Sequence, residues 1–126
     1  MRSQTSVRYP EKVAHVGLKR EDIIWAAGLF EGEGSISITT IASGKMYPRI
    51  KIKMTDEDTI KKFASIFGLT HRSVQKDKSW KSHYKDAWYA DSSGKRAVAI
   101  LYMIFPWLGE RRKCRVEEVL SLWRGT

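Results

Sequence analysis

A chain of 126 residues, 42% of them hydrophobic, suits one folded domain and differs from disordered chains in composition. Its 23 Lys and Arg against 14 Asp and Glu give a formal net charge of +9. This charge favours a polyanionic partner such as nucleic acid over a basic surface kept for solubility alone. No apolar run could span a bilayer, residues 1–17 lack the apolar segment of a signal peptide, and the single Cys114 suits a reducing compartment. A cytoplasmic, non-secreted protein without a membrane partner is therefore predicted.

The start of the chain predicts a leader, a helix and a strand. Residues 1–20 are polar without a clear period, and residues 21–126 are predicted to form one domain. The segment REDIIWAAGLFEG predicts a helix, because Glu21 and Asp22 suit the positive end of the helix dipole and glycines follow the apolar run. The β-branched segment SISITTI after it predicts a strand.

Strict alternation marks the second strand. After a turn around Ser43 and Gly44, the segment RIKIKM places Arg49, Lys51 and Lys53 on one face and apolar side chains on the other. A period of two is typical of a strand with one buried face. The exposed face of this strand is therefore predicted to be a row of cations.

The rest of the chain predicts a helix, a second hairpin and two more helices. Thr55 is a plausible N-cap for the helix that Gly68 ends, and residues 69–91 suit a hairpin. The segment SSGKRAVAILYMIF predicts a helix that stops before Pro106, and a last helix covers roughly 110–124. The order αββαββαα predicts an α+β fold, with an antiparallel sheet and helices on one face.

Two features of the first helix point to function. Gly28 should cost ~1 kcal/mol relative to Ala, which indicates either a second backbone close by or tight packing on the same domain. Gly32 lies four residues after Gly28 and therefore on the same face of the helix. Glu31 and Glu33 oppose the dipole at the helix end, which indicates a compensating metal ion or basic side chain, or two solvated carboxylates.

The segment WAAGLFEGEGSI resembles the LAGLIDADG motif of homing endonucleases. Residues 26–34 lie on the nine motif positions, with Ala26 for Leu, Phe30 for Ile and Glu for both Asp. The predicted order also resembles the family's αββαββα fold with its saddle-shaped sheet. RIKIKMTDED resembles the family's second strand and following helix, and FPWLGERRKCR the stretch that places a basic residue near the scissile phosphates.

The resemblance implies a single-motif homing endonuclease. Such an enzyme acts as a homodimer and, with Mg²⁺ or Mn²⁺, hydrolyses phosphodiesters of double-stranded DNA at a long near-palindromic site. Glu33 stands at the metal-binding acid of the motif. The motif helices form the dimer interface, which implies interface roles for Ala27, Gly28 and Gly32.

Two further catalytic positions follow from the resemblance. Asp56 stands where the family has a polar residue that holds water or metal, although it also suits a plain helix N-terminal acid. Arg111 stands near the family's catalytic lysine, with Arg112 and Lys113 as alternatives. Arginine can stabilise phosphate charge but is a poor base, because it does not readily lose its proton.

The family's sheet lies in the DNA major groove, which implies a set of DNA-binding residues. Tyr47 and Trp88 suit either the core or the groove, while His15, His71 and His83 are too scattered for a metal site. The predicted DNA-binding residues are Ser37, Thr39, Tyr47, Arg49, Lys51, Lys53, Arg72, Gln75, Lys76, Lys78, Lys81, Arg112 and Lys113.

Two rival functions stay open at this point. One is a LAGLIDADG-like module that binds nucleic acid without cutting it, as an RNA maturase or a transcription regulator. The other is a ribosome- or RNA-associated basic protein whose motif match is accidental, for which neither a dimer nor metal dependence is expected. If the protein is an intron-encoded endonuclease, an organelle or a nucleoid is the predicted location in place of the cytoplasm.

Overall fold

The computed structural model describes residues 18–74 and 87–126, and the predicted order αββαββαα is confirmed. Four of the predicted DNA-binding residues, Gln75, Lys76, Lys78 and Lys81, lie outside the described residues, as does nearly all of the predicted leader. The elements are α1 (Arg20–Glu33), β1 (Gly34–Thr40), β2 (Met46–Met54), α2 (Glu57–Phe67), β3 (His71–Val74), β4 (Ala87–Ser93), α3 (Lys95–Ile104), a 3-10 turn (Phe105–Trp107) and α4 (Glu110–Arg124).

The four strands form one open antiparallel sheet in the order β1-β2-β4-β3. The register places Lys51 between Ser35 and Asp91, whereas Ile52 lies between Gly34 and Ala90. Residues directly opposite in antiparallel strands share a face. The predicted alternation of β2 therefore extends across its neighbours and gives the sheet two chemically different faces.

One face of the sheet is covered by the helices. Ile50 and Ile52 are each 1% exposed and belong to one core cluster with buried side chains from all four helices, such as Phe30 of α1 and Val116 of α4. Trp88 packs against this cluster, which places it in the core rather than in a groove. The prediction of an α+β fold with helices on one face is confirmed. No helix in the described part of the chain is long and apolar enough to cross a membrane.

Two predicted helix starts are wrong. Asp56, not Thr55, is the N-cap of α2, and its side chain makes no capping hydrogen bond. The helix predicted from Ser92 begins at Lys95 instead, because β4 continues to Ser93 opposite Arg49 and the chain then turns at Gly94 with a φ of 72°. Pairing with β2 outweighs the local helix signal there.

Candidate nucleic-acid interface and cleavage site

The face of the sheet opposite the helices carries the predicted DNA-binding side chains of the strands. Every such residue within the described strands is on this face, by the register of the sheet. Sequence reasoning missed several of its members, because β4 shows little pattern of its own. The face consists of Ser35, Ser37 and Thr39 from β1, Tyr47, Arg49, Lys51 and Lys53 from β2, Arg72 and Val74 from β3, and Ala87, Tyr89, Asp91 and Ser93 from β4.

The cations of this face are held by neighbours in β4. An Oδ2 atom of Asp91 lies 2.7 Å from an Arg49 guanidinium nitrogen, and its Oδ1 lies 3.5 Å from one of Arg72. The Tyr89 ring lies under Lys51, with Nζ 4.7 Å from the ring centroid, and the Arg72 guanidinium lies 5.5 Å from the same centroid. Cations and aromatic rings attract at such distances. The face is therefore basic, and its long side chains are partly ordered by one another.

Gly34 lets the chain pass directly from α1 into β1. A Cβ at this position would collide with the Phe30 ring, which fills the space against the backbone. Phe30 is fully buried, so the ring cannot move away at little cost. Glu33, the last residue of α1, is exposed and lies at the junction between the helix and the sheet. Glu33 thus directly precedes β1, whose alternate residues from Ser35 onward contribute to the basic face.

Glu31 has a different partner. Its Oε1 accepts a hydrogen bond of 2.9 Å from the backbone N–H of Gly109, the N-cap residue of α4. A carboxylate at a helix N-terminus interacts favourably with the helix dipole. The positive partner of the Glu31 carboxylate is therefore the N-terminal end of α4, and not the metal ion or basic side chain that the sequence indicates. Arg112 adds a second tie between the helices, because its Nε donates a hydrogen bond of 2.9 Å to the Glu31 carbonyl.

An arginine-lined cleft of about 390 Å³ lies between the start of β1 and α4. Arg111, Arg112 and Arg115 line one side and residues 34–36 the other. Arg112 is half-buried and lies 5.6 Å from the Phe30 ring centroid, so its side chain is engaged by α1. Arg111 is exposed, and within the described residues it has no ion pair or side-chain hydrogen bond.

Lys113 and Arg115 have partners of their own. Lys113 is half-buried, with Nζ 5.5 Å from the Phe105 ring centroid. Arg115, missed in the sequence, donates from Nε to the Ile36 carbonyl at 3.2 Å and from a terminal nitrogen to Glu118 at 2.8 Å. Its spacing of four from Arg111 was the available signal, since such residues share a helix face. Among Arg111, Arg112 and Lys113, the geometry leaves Arg111 best placed to meet a ligand.

Asp56 and Glu33 lie at the same end of the sheet. Gly34 at the start of β1 is opposite Ile52 near the end of β2, and Asp56 follows β2 by two residues. Within residues 18–74 and 87–126, no three His, Cys, Asp or Glu side chains converge as a metal cage. One chain offers separate exposed carboxylates. This donor set fits Mg²⁺, which uses one or two carboxylates and completes its shell with water and phosphate oxygens.

The outer surface of α1 has an open strip at Gly28 and Gly32. Both are exposed, and a Cβ built on either meets no atom of the described chain within 4 Å. Tight packing on the same domain therefore does not explain Gly28. Ala27 is different, since it is 0% exposed and belongs to the core beneath the strip. The backbone of α1 is thus accessible at the two glycines.

Comparisons with known proteins agree with this architecture. No curated protein matches significantly in sequence. A solved structure described as "Group I Intron-encoded Homing Endonuclease I-CeuI Complexed With DNA" is similar in fold, with a TM-score of 0.54 and 18% identity over 87% of this chain. The match spans 57% of that protein's chain. The model of the LAGLIDADG endonuclease family matches residues 26–107, from the motif helix through α3. The chain therefore belongs to the LAGLIDADG endonuclease family.

Proposed function

We propose that this protein is a site-specific endonuclease that cuts double-stranded DNA at a long near-palindromic site, as a homodimer with Mg²⁺ or Mn²⁺. The main observation behind this proposal is the position of Glu33. This exposed residue ends α1 directly before β1, and Arg111 lines the cleft at the start of β1. A cationic surface can hold a polyanion, a carboxylate can bind a catalytic metal ion, and an exposed guanidinium can stabilise charge on a phosphate.

The sheet would bind the DNA. The major groove admits a β-ribbon and presents a distinct donor and acceptor pattern for each base pair. Arg49 and Arg72 offer planar donor forks suited to guanine, whereas the exposed Lys53 suits a phosphate or a guanine acceptor. The described strands place four Lys or Arg on this face against the one carboxylate of Asp91.

The open strip on α1 would form the dimer interface. Two copies of α1 related by a two-fold axis can approach closely at Gly28 and Gly32, because neither carries a side chain. Each copy then contributes one Glu33 near the axis, and the two basic faces extend to either side. An isologous pair of this kind recognises a near-palindrome, with one half-site for each copy.

Around the scissile phosphate, the roles divide among exposed groups. A bound divalent metal would supply a nucleophilic water and stabilise the leaving oxygen. Glu33 provides a carboxylate ligand, and its charge brings a cation to a place crowded with phosphates. Arg111 stays protonated and stabilises the charge that develops on the phosphate. Asp56 can accept hydrogen bonds and so orient a water molecule at the same end of the sheet.

The test is cleavage of a randomised duplex library with Mg²⁺, followed by sequencing of the new ends. Wild type should yield ends at one defined sequence. Glu33→Gln should bind that sequence in a gel shift and leave it uncut, because only the carboxylate charge is removed. The exposed Glu117 of α4 provides a control, since Glu117→Gln makes the same charge change and should cut normally.

The outcomes separate the possible functions. If Glu33→Gln cuts like wild type, Glu33 is not the metal ligand and the proposed mechanism is wrong. If wild type binds a defined duplex tightly but leaves it intact in Mg²⁺ and in Mn²⁺, the protein is a binding module, and RNA becomes the next ligand to test.

A further inference from the structure

Within the described strands, the basic face of the sheet carries one acid, near its centre. Asp91 is in β4 directly opposite Lys51, and its side chain is 19% exposed. A carboxylate here repels DNA phosphates, so the affinity of the face alone does not explain it. Stability is a weak explanation as well. The Asp91 carboxylate is largely shielded, but the arginine side chains that pair with it, Arg49 and Arg72, are 41% and 59% exposed, so water screens both ion pairs.

The geometry of the carboxylate indicates a positioning role. Each of its oxygens serves a different strand, since Oδ2 pairs with Arg49 of β2 and Oδ1 with Arg72 of β3. A guanidinium has five N–H donors, so a group held at one nitrogen keeps others for a base edge. The Tyr89 ring supports Arg72 from a second direction. Both arginines are thereby pre-ordered before DNA arrives, which reduces the entropy lost in forming a fixed fork.

The acid also changes what the arginines prefer to bind. A guanidinium beside a carboxylate is partly neutralised, and its attraction to a phosphate on any sequence is reduced. A bidentate contact with a guanine depends on donor geometry, which the carboxylate improves. The same ion pairs therefore disfavour sequence-independent binding and favour base readout.

We infer that Asp91 is a specificity-determining positioning residue, which holds Arg49 and Arg72 for contacts with base edges. This inference rests on the proposed DNA-binding function. It assigns to an acid outside the motif a part in the choice of target, with no part in the chemical step.

The test compares wild type with Asp91→Asn, which keeps the shape and removes the charge. Both would select sequences from a randomised duplex library without divalent metal, so that cleavage does not enter. We expect Asp91→Asn to bind random duplex more tightly and to lose about tenfold in the ratio of target to random affinity. The lost base preferences should fall at the positions that Arg49→Gln and Arg72→Gln also flatten.

A matched control is Asp58→Asn, which makes the same charge change at an exposed residue of α2. It should tighten binding to all sequences slightly and leave every base preference in place. Asp91→Ser, which copies the nearby Ser93 on the same face, serves as the second variant if the amide disturbs folding.

The outcomes separate a failure of this inference from a failure of the proposed DNA-binding function. If wild type selects a sequence and Asp91→Asn selects it with the same ratio and preferences, the inference is wrong while the proposed function stands. A uniform loss of preference at all positions, or failure of both Asp91 variants to fold, would show a structural role and likewise overturn it. If wild type selects no sequence at all, the proposed function fails and the inference fails with it.

Discussion

Replacing Glu31 by Ala removes the carboxylate that joins the end of α1 to the beginning of α4. The Oε1 atom of Glu31 accepts the N–H of Gly109 at 2.9 Å, and no other side chain in the described residues caps that helix. Glu33, two residues further on, is exposed and has no ion pair within the described part of the chain. Substitutions of the two motif acids should therefore have different effects, with Glu31 affecting stability and Glu33 affecting cleavage.

The size of the Glu31 effect follows from three contributions. Loss of a helix cap costs about 0.5–2 kcal/mol. Removal of a negative charge from the C-terminal end of α1 returns ~0.3 kcal/mol or slightly more, and the higher helix propensity of Ala returns a few tenths. From the middle of the capping range, the net loss for Glu31→Ala is about 0.6 kcal/mol. With an unfolding entropy of about 2.1 cal/mol/K per residue, 126 residues lose about 2 °C in Tm for that amount.

Urea denaturation of wild type, Glu31→Ala and Glu33→Ala would measure these differences. The midpoint should fall for Glu31→Ala at an unchanged slope and should stay near the wild-type value for Glu33→Ala. Cleavage of the selected target should instead be reduced more by Glu33→Ala than by Glu31→Ala. Equal stability of Glu31→Ala and wild type, or an equal loss in Glu33→Ala, would refute the assignment of the cap to Glu31.

Three further predictions follow from the site. Arg112→Ala should lower the free energy of unfolding in urea by ~1–2 kcal/mol, because it loses the hydrogen bond to α1 and the packing on the Phe30 ring. Arg111→Ala should keep wild-type stability and lose cleavage. Gly34→Ala should destabilise the fold by roughly 1–3 kcal/mol, because the new methyl group overpacks against the Phe30 ring. Gly28→Leu should fold normally but sediment as a monomer. A stable Gly28→Leu dimer would exclude the α1 interface. Lys51→Ala should weaken target binding by ~1–3 kcal/mol if it contacts a base, and unchanged affinity at moderate salt would remove it from the interface.

The fold could be predicted from the sequence where local signals were consistent. The alternation of β2 and the left-handed Gly68 that ends α2 both have local causes, and the structure agrees with them. Ser92 and Ser93 were assigned to a helix because they precede a strongly helical segment, yet they pair with β2, which lies more than forty residues away. Pairing over such a separation leaves no local trace in the sequence.

The sequence predicts the candidate site as separate residues but not the contacts that connect them. The motif already implies a metal-binding role for Glu33 alone, whereas the partner of Glu31 is known only from the structure, because Gly109 is distant in sequence. Asp91 was overlooked for the same reason, since its role depends on arginines from two other strands. Arg115 could have been found by helical spacing from Arg111.

The alternation of β2 also sets a length scale. Successive residues of an antiparallel strand advance by ~3.4 Å, close to the ~3.4 Å between neighbouring nucleotides along one strand of B-DNA. Arg49, Lys51 and Lys53, which point the same way, are thus roughly two base pairs apart and extend over about four when the strand follows the groove. Adding two residues to β2 would move the contact of an outer side chain by about two base pairs. Adding one without a β-bulge would turn over the part of the strand beyond the insertion, so that its cations face the core and its isoleucines the opposite face. If the protein binds DNA as proposed, a longer β2 would therefore keep its cations on the same face most simply when it grows by two residues at a time.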